Sequence, residues 1–350
     1  MPGARFAVLM WKENIKYRCG MSVADASQRK TFWLVLERFL RLFLGLALLA
    51  LSLWKVDWGG LVYHLVHAQC GWLVIALLSV LVSSFMKILR WRWLLLGLGI
   101  QREPGFLHLG GAFFIGQAVN ILFPLRAGEL ARVGWLSVND QQDAFLTAFS
   151  VLLEKYFDLV ILLGLVTWLG PVLPVEALIT SRSWLVPLCA GATLALAAGL
   201  WAAPFLWEQI SQRWPKRWAG LAERIESWVR SLRLLRSDRR VLTLMVFSVI
   251  LWGVMLSTNL FVLQALSLPV DLRTGGLVLV LVYLGLAPAL MPGNVGPFYY
   301  LAMLALAPFG IGISERAAFA VLLHAIVVLP PLFLGGAFLG MDRWKKRGRK

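Results

Sequence analysis

The sequence predicts an all-α polytopic membrane protein with about six to eight transmembrane helices, one or two re-entrant hairpins and a possible inverted repeat. Of its 350 residues, 59% are hydrophobic and only 15% are charged, with a mean hydropathy of +0.75. Soluble domains carry about 25% charged residues. Apolar runs repeatedly reach the roughly 20 residues needed to cross a bilayer. Alternating apolar and polar residues, the pattern of a membrane β-barrel, are not seen.

Nine apolar runs are candidate membrane segments, and many end at tryptophans typical of the membrane interface. They are Trp33–Trp54, Trp72–Leu96, Gly105–Phe123, Ala144–Leu169, Trp184–Leu206, Val241–Ala265, Gly275–Leu290, Asn294–Phe309 and Arg316–Leu339.

Basic residues concentrate in the segments between these runs, which accounts for the net charge of +16 without a nucleic-acid partner. Because positive segments lie inside, we expect four of them to be cytoplasmic. Lys and Arg number six in 1–32, four in 87–104, nine in 207–240 and six in 342–350, but one each in 55–71, 171–183 and 266–274. We therefore expect a cytoplasmic tail 1–32 starting at Met1 or Met21, a membrane domain 33–341 and a basic cytoplasmic tail 342–350.

Two cytoplasmic segments must be separated by an even number of membrane crossings. This rule, here called charge parity, makes a specific prediction about Gly105–Phe123. If this run crossed the membrane fully, the nine basic residues of 207–240 would lie outside. The run is therefore predicted to enter from the cytoplasm, break near Pro124 and return to the same side. Residues 117–132 read QAVNILFPLRAGELAR and form the tip of this hairpin.

A second break is predicted at Pro292–Pro297, which reads PGNVGP between two runs of 16 residues each. Runs this short suit half-helices, and a pair of Gly/Pro-interrupted segments in the two halves is a pointer to an inverted-repeat transporter site. The alternatives are six spans with two hairpins, or eight spans with one.

The segment 207–240 carries an apolar stripe with helical spacing, flanked by arginines. The stripe is formed by Trp214, Trp218, Leu221, Ile225, Trp228, Leu232 and Leu235. A basic, Trp-rich amphipathic helix either lies on an anionic membrane face or packs against the cytoplasmic ends of the bundle.

Charged side chains at membrane depth are costly and should face protein or a watery cavity. Arg126, Glu129 and Arg132 follow Pro124 at helical spacing. They either form an anion-binding corner with the amides of a restarting helix, or an ion pair that holds the turn. Glu154 and Asp158, with Lys155 between them, are either a buried brace or part of the same cavity.

Other polar residues in the membrane segments favour structural roles. Gln117, Asn120, Asn259 and Asn294 are typical of hydrogen bonds between helices, and His324 of a satisfied core histidine. The three cysteines show no paired spacing. We expect no metal and no cofactor, and we find no catalytic motif.

Three motifs resemble the lysylphosphatidylglycerol synthase transmembrane, or flippase-like, family. NILFPLRAGELAR at Asn120–Arg132 is similar to its signature, and EKYFD (Glu154–Asp158) and MPGNVG (Met291–Gly296) are similar to its second and third motifs, in the same order. The likeness covers roughly residues 35–340. Tyr299 stands where the family has an acid, and His324 where it has an arginine in the last span.

The resemblance implies a bacterial inner-membrane protein related to the module that moves aminoacylated lipids between leaflets. Because only basic residues 342–350 follow the last run, we expect that the chain does not aminoacylate a lipid itself. The leading hypothesis is an anionic-lipid translocator, with membrane lipids, a separate lipid-modifying enzyme or a second copy as partners. A lipid transferase with Glu129 or Asp158 as base, and a non-catalytic partner docking through 207–240, are the alternatives.

The candidate site residues fall into three groups. Those for the lipid head group are Asn120, Arg126, Glu129 and Arg132; those lining the cavity are Gln117, Glu154, Lys155, Asp158, Asn294, Tyr299 and His324; those forming the turns are Pro124, Gly128, Pro292, Gly293 and Gly296.

Overall fold

The computed structural model describes residues 36, 39–40, 42–100, 102–124, 126–170, 184–236, 239–287 and 291–347. The predicted tail 1–32, the segment 171–183 and the last three residues of the basic tail lie outside the described residues. The α-helices are α1 Leu42–Leu53, α2 Trp58–Val66, α3 Cys70–Gly97, α4 Phe106–Leu122, α5 Ala127–Asn139, α6 Ala144–Leu169, α7 Leu185–Ser211, α8 Ala219–Arg236, α9 Arg240–Ala265, α10 Leu272–Gly285, α11 Pro297–Leu306 and α12 Ile313–Arg347.

Four helices, α3, α7, α9 and α12, are long and apolar enough to cross a membrane, and the α1–α2 pair, bent by 84°, could be a fifth span. Helix α6 is as long, with 26 residues, but carries three charges in its middle. The predicted all-α polytopic class is confirmed. Helix α2 was not predicted: residues 55–71 were assigned to a loop, whereas Asp57 caps a short helix by accepting bonds from the amides of Gly59 and Gly60.

The bundle has two ends, here called end A and end B. At end A, the start of α4 meets the end of α5, where the His108 Nδ1 lies 2.6 Å from the Asp140 Oδ1. At end B, the start of α3 meets the end of α9, where the Gln69 amide donates to the Ala265 carbonyl at 2.8 Å. The basic segment 207–240 lies at end A, so its predicted cytoplasmic location concerns this end and stays a prediction.

Helices α4 and α5 form an antiparallel hairpin, hairpin 1, that starts and finishes at end A. Its turn contains Phe123, the predicted Pro124 and Arg126. The helices approach so closely that a Cβ on Gly128 would lie 1.8 Å from the Gly116 carbonyl oxygen. The hairpin inferred from charge parity is thus present, and its entry into the membrane from the cytoplasm stays a prediction.

Helices α10 and α11 form hairpin 2, which starts and finishes at end B. Helix α10 begins beside the last turn of α6, since Gly276 packs on Leu169, and α11 packs back on α10 where Leu301 contacts Gly285. The turn contains Gly293 at φ 61° and Gly296 at φ 93°, left-handed conformations that favour glycine. The helix α10 ends at Gly285 and α11 begins at Pro297, so both helices are shorter than the predicted runs Gly275–Leu290 and Asn294–Phe309.

The tips of the two hairpins meet inside the bundle. Gly293 of hairpin 2 faces the Ile121 carbonyl at the end of α4, and a Cβ on Gly293 would lie 3.8 Å from that oxygen. Helices α3, α6, α7, α9 and α12 each run from one end to the other, and the bent α1–α2 pair could add a sixth span, so the described residues fit six spans with two hairpins rather than eight with one.

The second half of the chain repeats the element order of the first. Helices α1 to α6 are a helix followed by the short helix α2, a long helix, a hairpin and a long helix, and α7 to α12 follow the same order from the opposite end, with α8 as the short helix. The equivalent helices α3 and α9 pack antiparallel along their length, with Trp72 stacked on Phe261 and Trp93 against Phe247. This order is that of an inverted repeat.

One assignment was wrong. Lys87, Arg90 and Arg92 were counted as loop charges in 87–104, but all three lie within α3. The inference of hairpin 1 from charge parity is unaffected, because α3 still ends at end A, where Leu235 of α8 packs on Gly97.

The close approach of α4 and α5 gives a test of hairpin 1. We expect Gly128→Ala to lower the free energy of unfolding by roughly 1–3 kcal/mol, because the added methyl would collide with backbone. Gly134→Ala is the matched control, since nothing lies within 4 Å of its Cβ position on the same helix. Thermal unfolding in detergent measures both, and equal melting temperatures for the two variants would contradict the hairpin geometry.

Candidate functional site

The tip of hairpin 1 exposes one of the predicted head-group residues. Arg126 is the N-cap of α5 in a left-handed conformation, φ 54°, and its side chain is exposed. Among the described residues it has no ion pair. The Asn120 Oδ1 accepts a bond from the Gly128 amide at 2.7 Å, so one amide of the predicted anion corner is already used by the hairpin.

Arg132 is buried and contacts a carboxylate and two aromatic rings. Its side chain is 2% exposed, and its Nη1 and Nη2 lie 3.5 and 2.9 Å from the two carboxylate oxygens of Glu154. The guanidinium also lies 4.1 Å from the ring centroid of Trp91 and 5.2 Å from that of Phe113. This bidentate, ring-flanked geometry fixes α5 against α6 and α3.

Glu129 and Lys155 extend the pairing toward the surface. The Glu129 Oε2 lies 3.6 Å from the Arg132 Nη1, and its Oε1 lies 3.3 Å from the Lys155 Nζ. The ammonium of Lys155 also lies 3.7 Å from Glu154. Glu129 and Lys155 each have one partner on α5 and one on α6.

Arg90 is the partner that sequence reasoning missed. It is fully buried, with its Nη1 2.8 Å from the Asp158 Oδ1 and its Nη2 3.9 Å from Glu154. Its Nη1 also donates to the Ser248 hydroxyl of α9 at 3.1 Å. One sequence signal was available: Ser79, Ser83, Lys87 and Arg90 are spaced 4, 4 and 3 and form a polar stripe on an apolar helix.

Six side chains form one charge cluster around the buried Arg90, Arg132 and Glu154, with Glu129, Lys155 and Asp158 half-buried at its edge; it is here called the buried charge cluster. Three cations balance three carboxylates, so the cluster is neutral by formal charge. A buried ion is tolerated when it is paired and becomes strongly destabilising when its partner is removed. The cluster therefore joins α3, α5 and α6 in one arrangement.

Two neighbouring cations lack such compensation. Lys87 is half-buried one turn before Arg90 and interacts electrostatically with Asp158 and Lys155, but among the described residues no carboxylate lies within ion-pair distance of it. Arg126 precedes Glu129 by one turn of hairpin 1. The site therefore has two positive charges beyond those that its own carboxylates balance.

The remaining candidates gather at the tip of hairpin 2. The Nε2 of His324 lies 2.9 Å from the Gly293 carbonyl and its Nδ1 lies 3.3 Å from the Tyr299 hydroxyl. The ring therefore donates from Nε2 and accepts from Tyr299 at Nδ1, as a satisfied core histidine does. Asn294 is half-buried in the same turn at φ 51°.

The predicted residues thus separate into two groups. Glu154, Lys155 and Asp158 join the hairpin 1 residues, whereas His324 and Tyr299 hold the turn of hairpin 2. Within the described ranges, no ion pair or hydrogen bond links the two groups. Gln117 is half-buried on α4, one turn before Asn120.

The cluster predicts a large difference between two ion pairs. Glu154→Gln leaves the Arg132 and Arg90 guanidinium groups underpaired in the protein interior, and should lower the free energy of unfolding by about 3–5 kcal/mol. Glu103→Gln removes an exposed pair with Arg92 and should cost less than about 1 kcal/mol. Thermal unfolding of both variants in detergent is the measurement, and a Glu154 variant as stable as the Glu103 variant would contradict the bracing role.

Comparison with known proteins adds the family. A family model described as the lysylphosphatidylglycerol synthase TM region matches residues 38–335. No curated protein matched the chain. The matched range contains both hairpins and the whole buried charge cluster, and the resemblance drawn from the three motifs is confirmed. The chain belongs to the lysylphosphatidylglycerol synthase transmembrane family.

Proposed function

We propose that this membrane protein binds an anionic lipid, a phospholipid or an isoprenoid-type lipid phosphate, and moves it between leaflets. The observation that carries the proposal is the pair of uncompensated cations, Arg126 and Lys87, beside a neutral buried cluster. Because a charge at membrane depth is costly without a partner, an anionic head group is the ligand that would complete the site.

The surroundings of Arg126 suit a lipid rather than a free anion. Leu122 and Phe123 are each 55% exposed, and Leu130, on the next turn of α5, is 77% exposed. A guanidinium that pairs well with phosphate oxygens thus projects from an apolar surface that can contact acyl or isoprenoid chains.

The depth of the hairpin tips supports transport across the bilayer. His324, which holds the tip of hairpin 2, lies eleven residues into α12, roughly 16 Å along its axis at about 1.5 Å per residue. That is about half of a hydrocarbon core of roughly 30 Å. Two broken hairpins that enter from opposite ends and meet at mid-depth are typical of transporter sites.

We propose different roles for the two arginines. Arg132 is already bound by Glu154 and two rings, so we assign it the task of bracing hairpin 1. Arg126 binds the head group, and Lys87 and Lys155 form the next cations along its route. A transferase mechanism has less support, because Glu129 and Asp158, its candidate bases, are both ion-paired. We place the protein in a bacterial inner membrane with end A in the cytoplasm.

Leaflet exchange tests this proposal. Protein reconstituted in vesicles should accelerate the exchange of a fluorescent phosphatidylglycerol, followed by chemical quenching of the outer leaflet. We expect Arg126→Ala to abolish the acceleration and Lys87→Ala to reduce it by about tenfold, which corresponds to one weakened ion contact of about 1.4 kcal/mol. Arg126→Lys should retain part of the activity.

Arg273→Ala is the matched control, because Arg273 is an exposed arginine at end B paired with Asp271. It should leave exchange unchanged. Exchange no faster than in protein-free vesicles, for both phosphatidylglycerol and a labelled isoprenyl phosphate, would overturn the proposal.

A further inference from the structure

The amphipathic segment 207–240 divides into two parts, and only its second part is covered by protein. In the C-terminal half of α8, Trp228 stacks between Phe145 and Phe149, with ring centroids 4.5 and 4.6 Å away. Its Nε1 also donates to the Phe145 carbonyl at 3.2 Å. Leu232 and Leu235 are buried in the same core. This half anchors α8 to end A.

The first part remains uncovered. Trp218 is 51% exposed and Leu221 is 42% exposed, although both belong to the predicted apolar stripe. The chain here is held close to the end of α7, where Trp207 packs on Trp214 with ring centroids 5.4 Å apart. Its position is thus fixed at the level where a membrane-spanning helix ends.

The same part is strongly basic. Arg213, Arg217 and Arg224 are exposed. Of the nearby carboxylates, Glu208 pairs with Arg233, and Glu226 accepts a bond from the Trp207 Nε1 at 2.6 Å. Glu223 is then the one exposed acid of the described residues 211–230 that is not engaged. An excess of arginine beside exposed Trp and Leu complements an anionic surface with an apolar interior.

We propose that residues 213–224 dock on the anionic leaflet at end A, with Trp218 and Leu221 entering the interface and the arginines contacting lipid head groups. A membrane is favoured over a protein partner by position, because the segment connects two spans and its C-terminal half is already packed on their ends. Interfacial helices with Trp and Leu on one side and Arg on the other bind anionic lipid in this way. Each arginine near such a surface contributes about fivefold in affinity.

Site-directed spin labelling of the full chain tests this docking independently of lipid transport. The label is attached to Leu221→Cys in a protein whose Cys19, Cys70 and Cys189 are replaced by serine. The protein is placed in nanodiscs that hold one copy each, made of phosphatidylcholine with or without one quarter phosphatidylglycerol. We expect phosphatidylglycerol to lower the accessibility of the label to a water-soluble nickel chelate about threefold or more, and to raise its accessibility to oxygen. Replacing Arg213 and Arg217 by glutamine should remove most of this dependence.

Arg273→Gln at end B is the matched control and should leave the dependence intact. Equal nickel accessibility with and without phosphatidylglycerol would overturn the proposal. Protection of the label that is already complete in phosphatidylcholine alone would also overturn it, because anionic lipid would then not be needed. Loss of leaflet exchange in the Arg126 variant with docking preserved would show that the two proposals are separable.

Discussion

The ion pair between Arg132 and Glu154 is the interaction on which the rest of the site depends. A hairpin that returns to its own end gains little from its own helix propensity and must be held by its neighbours. Arg132 supplies that hold, because its guanidinium binds a carboxylate of α6 while lying against Trp91 of α3 and Phe113 of α4. Glu154 in turn faces Arg90, so removing any one member leaves a charge without compensation in the protein interior.

The two hairpins solve a shared problem of backbone hydrogen bonding. Irregular backbone at membrane depth is tolerated only where protein or water satisfies its polar groups. In hairpin 1, the Asn120 side chain caps the Gly128 amide; in hairpin 2, His324 satisfies the Gly293 carbonyl. The solutions use different residues although the element order repeats. The architecture of an inverted repeat can thus be preserved while its motifs diverge. This explains why the two halves share only a Gly/Pro-interrupted segment in the sequence.

The sequence predicts much of the fold because hydropathy and charge parity report on membrane crossings directly. Parity located hairpin 1 near Pro124, and the short apolar runs pointed to hairpin 2. Charge parity could not show that Arg90 lies inside the bundle, because a basic residue near the end of an apolar run has the same local pattern in a loop and in a helix. Its burial depends on its partner, Asp158, which is 68 residues away in the chain. Helix α2 was missed for a related reason: its nine residues are too few to set a periodicity.

One motif holds an arginine that is paired inside the bundle, Arg132, and one that is exposed at the turn, Arg126. Both lie on hairpin 1, six residues apart, with Glu129 midway. Arg132, on the second turn of α5, points into the bundle and finds its carboxylate. Arg126 lies at the N-cap in a left-handed conformation, which places its side chain outside the helix and away from Glu129. The described part of the chain offers Arg126 no carboxylate within ion-pair distance, and this is why we propose that an anionic lipid head group supplies its counter-ion.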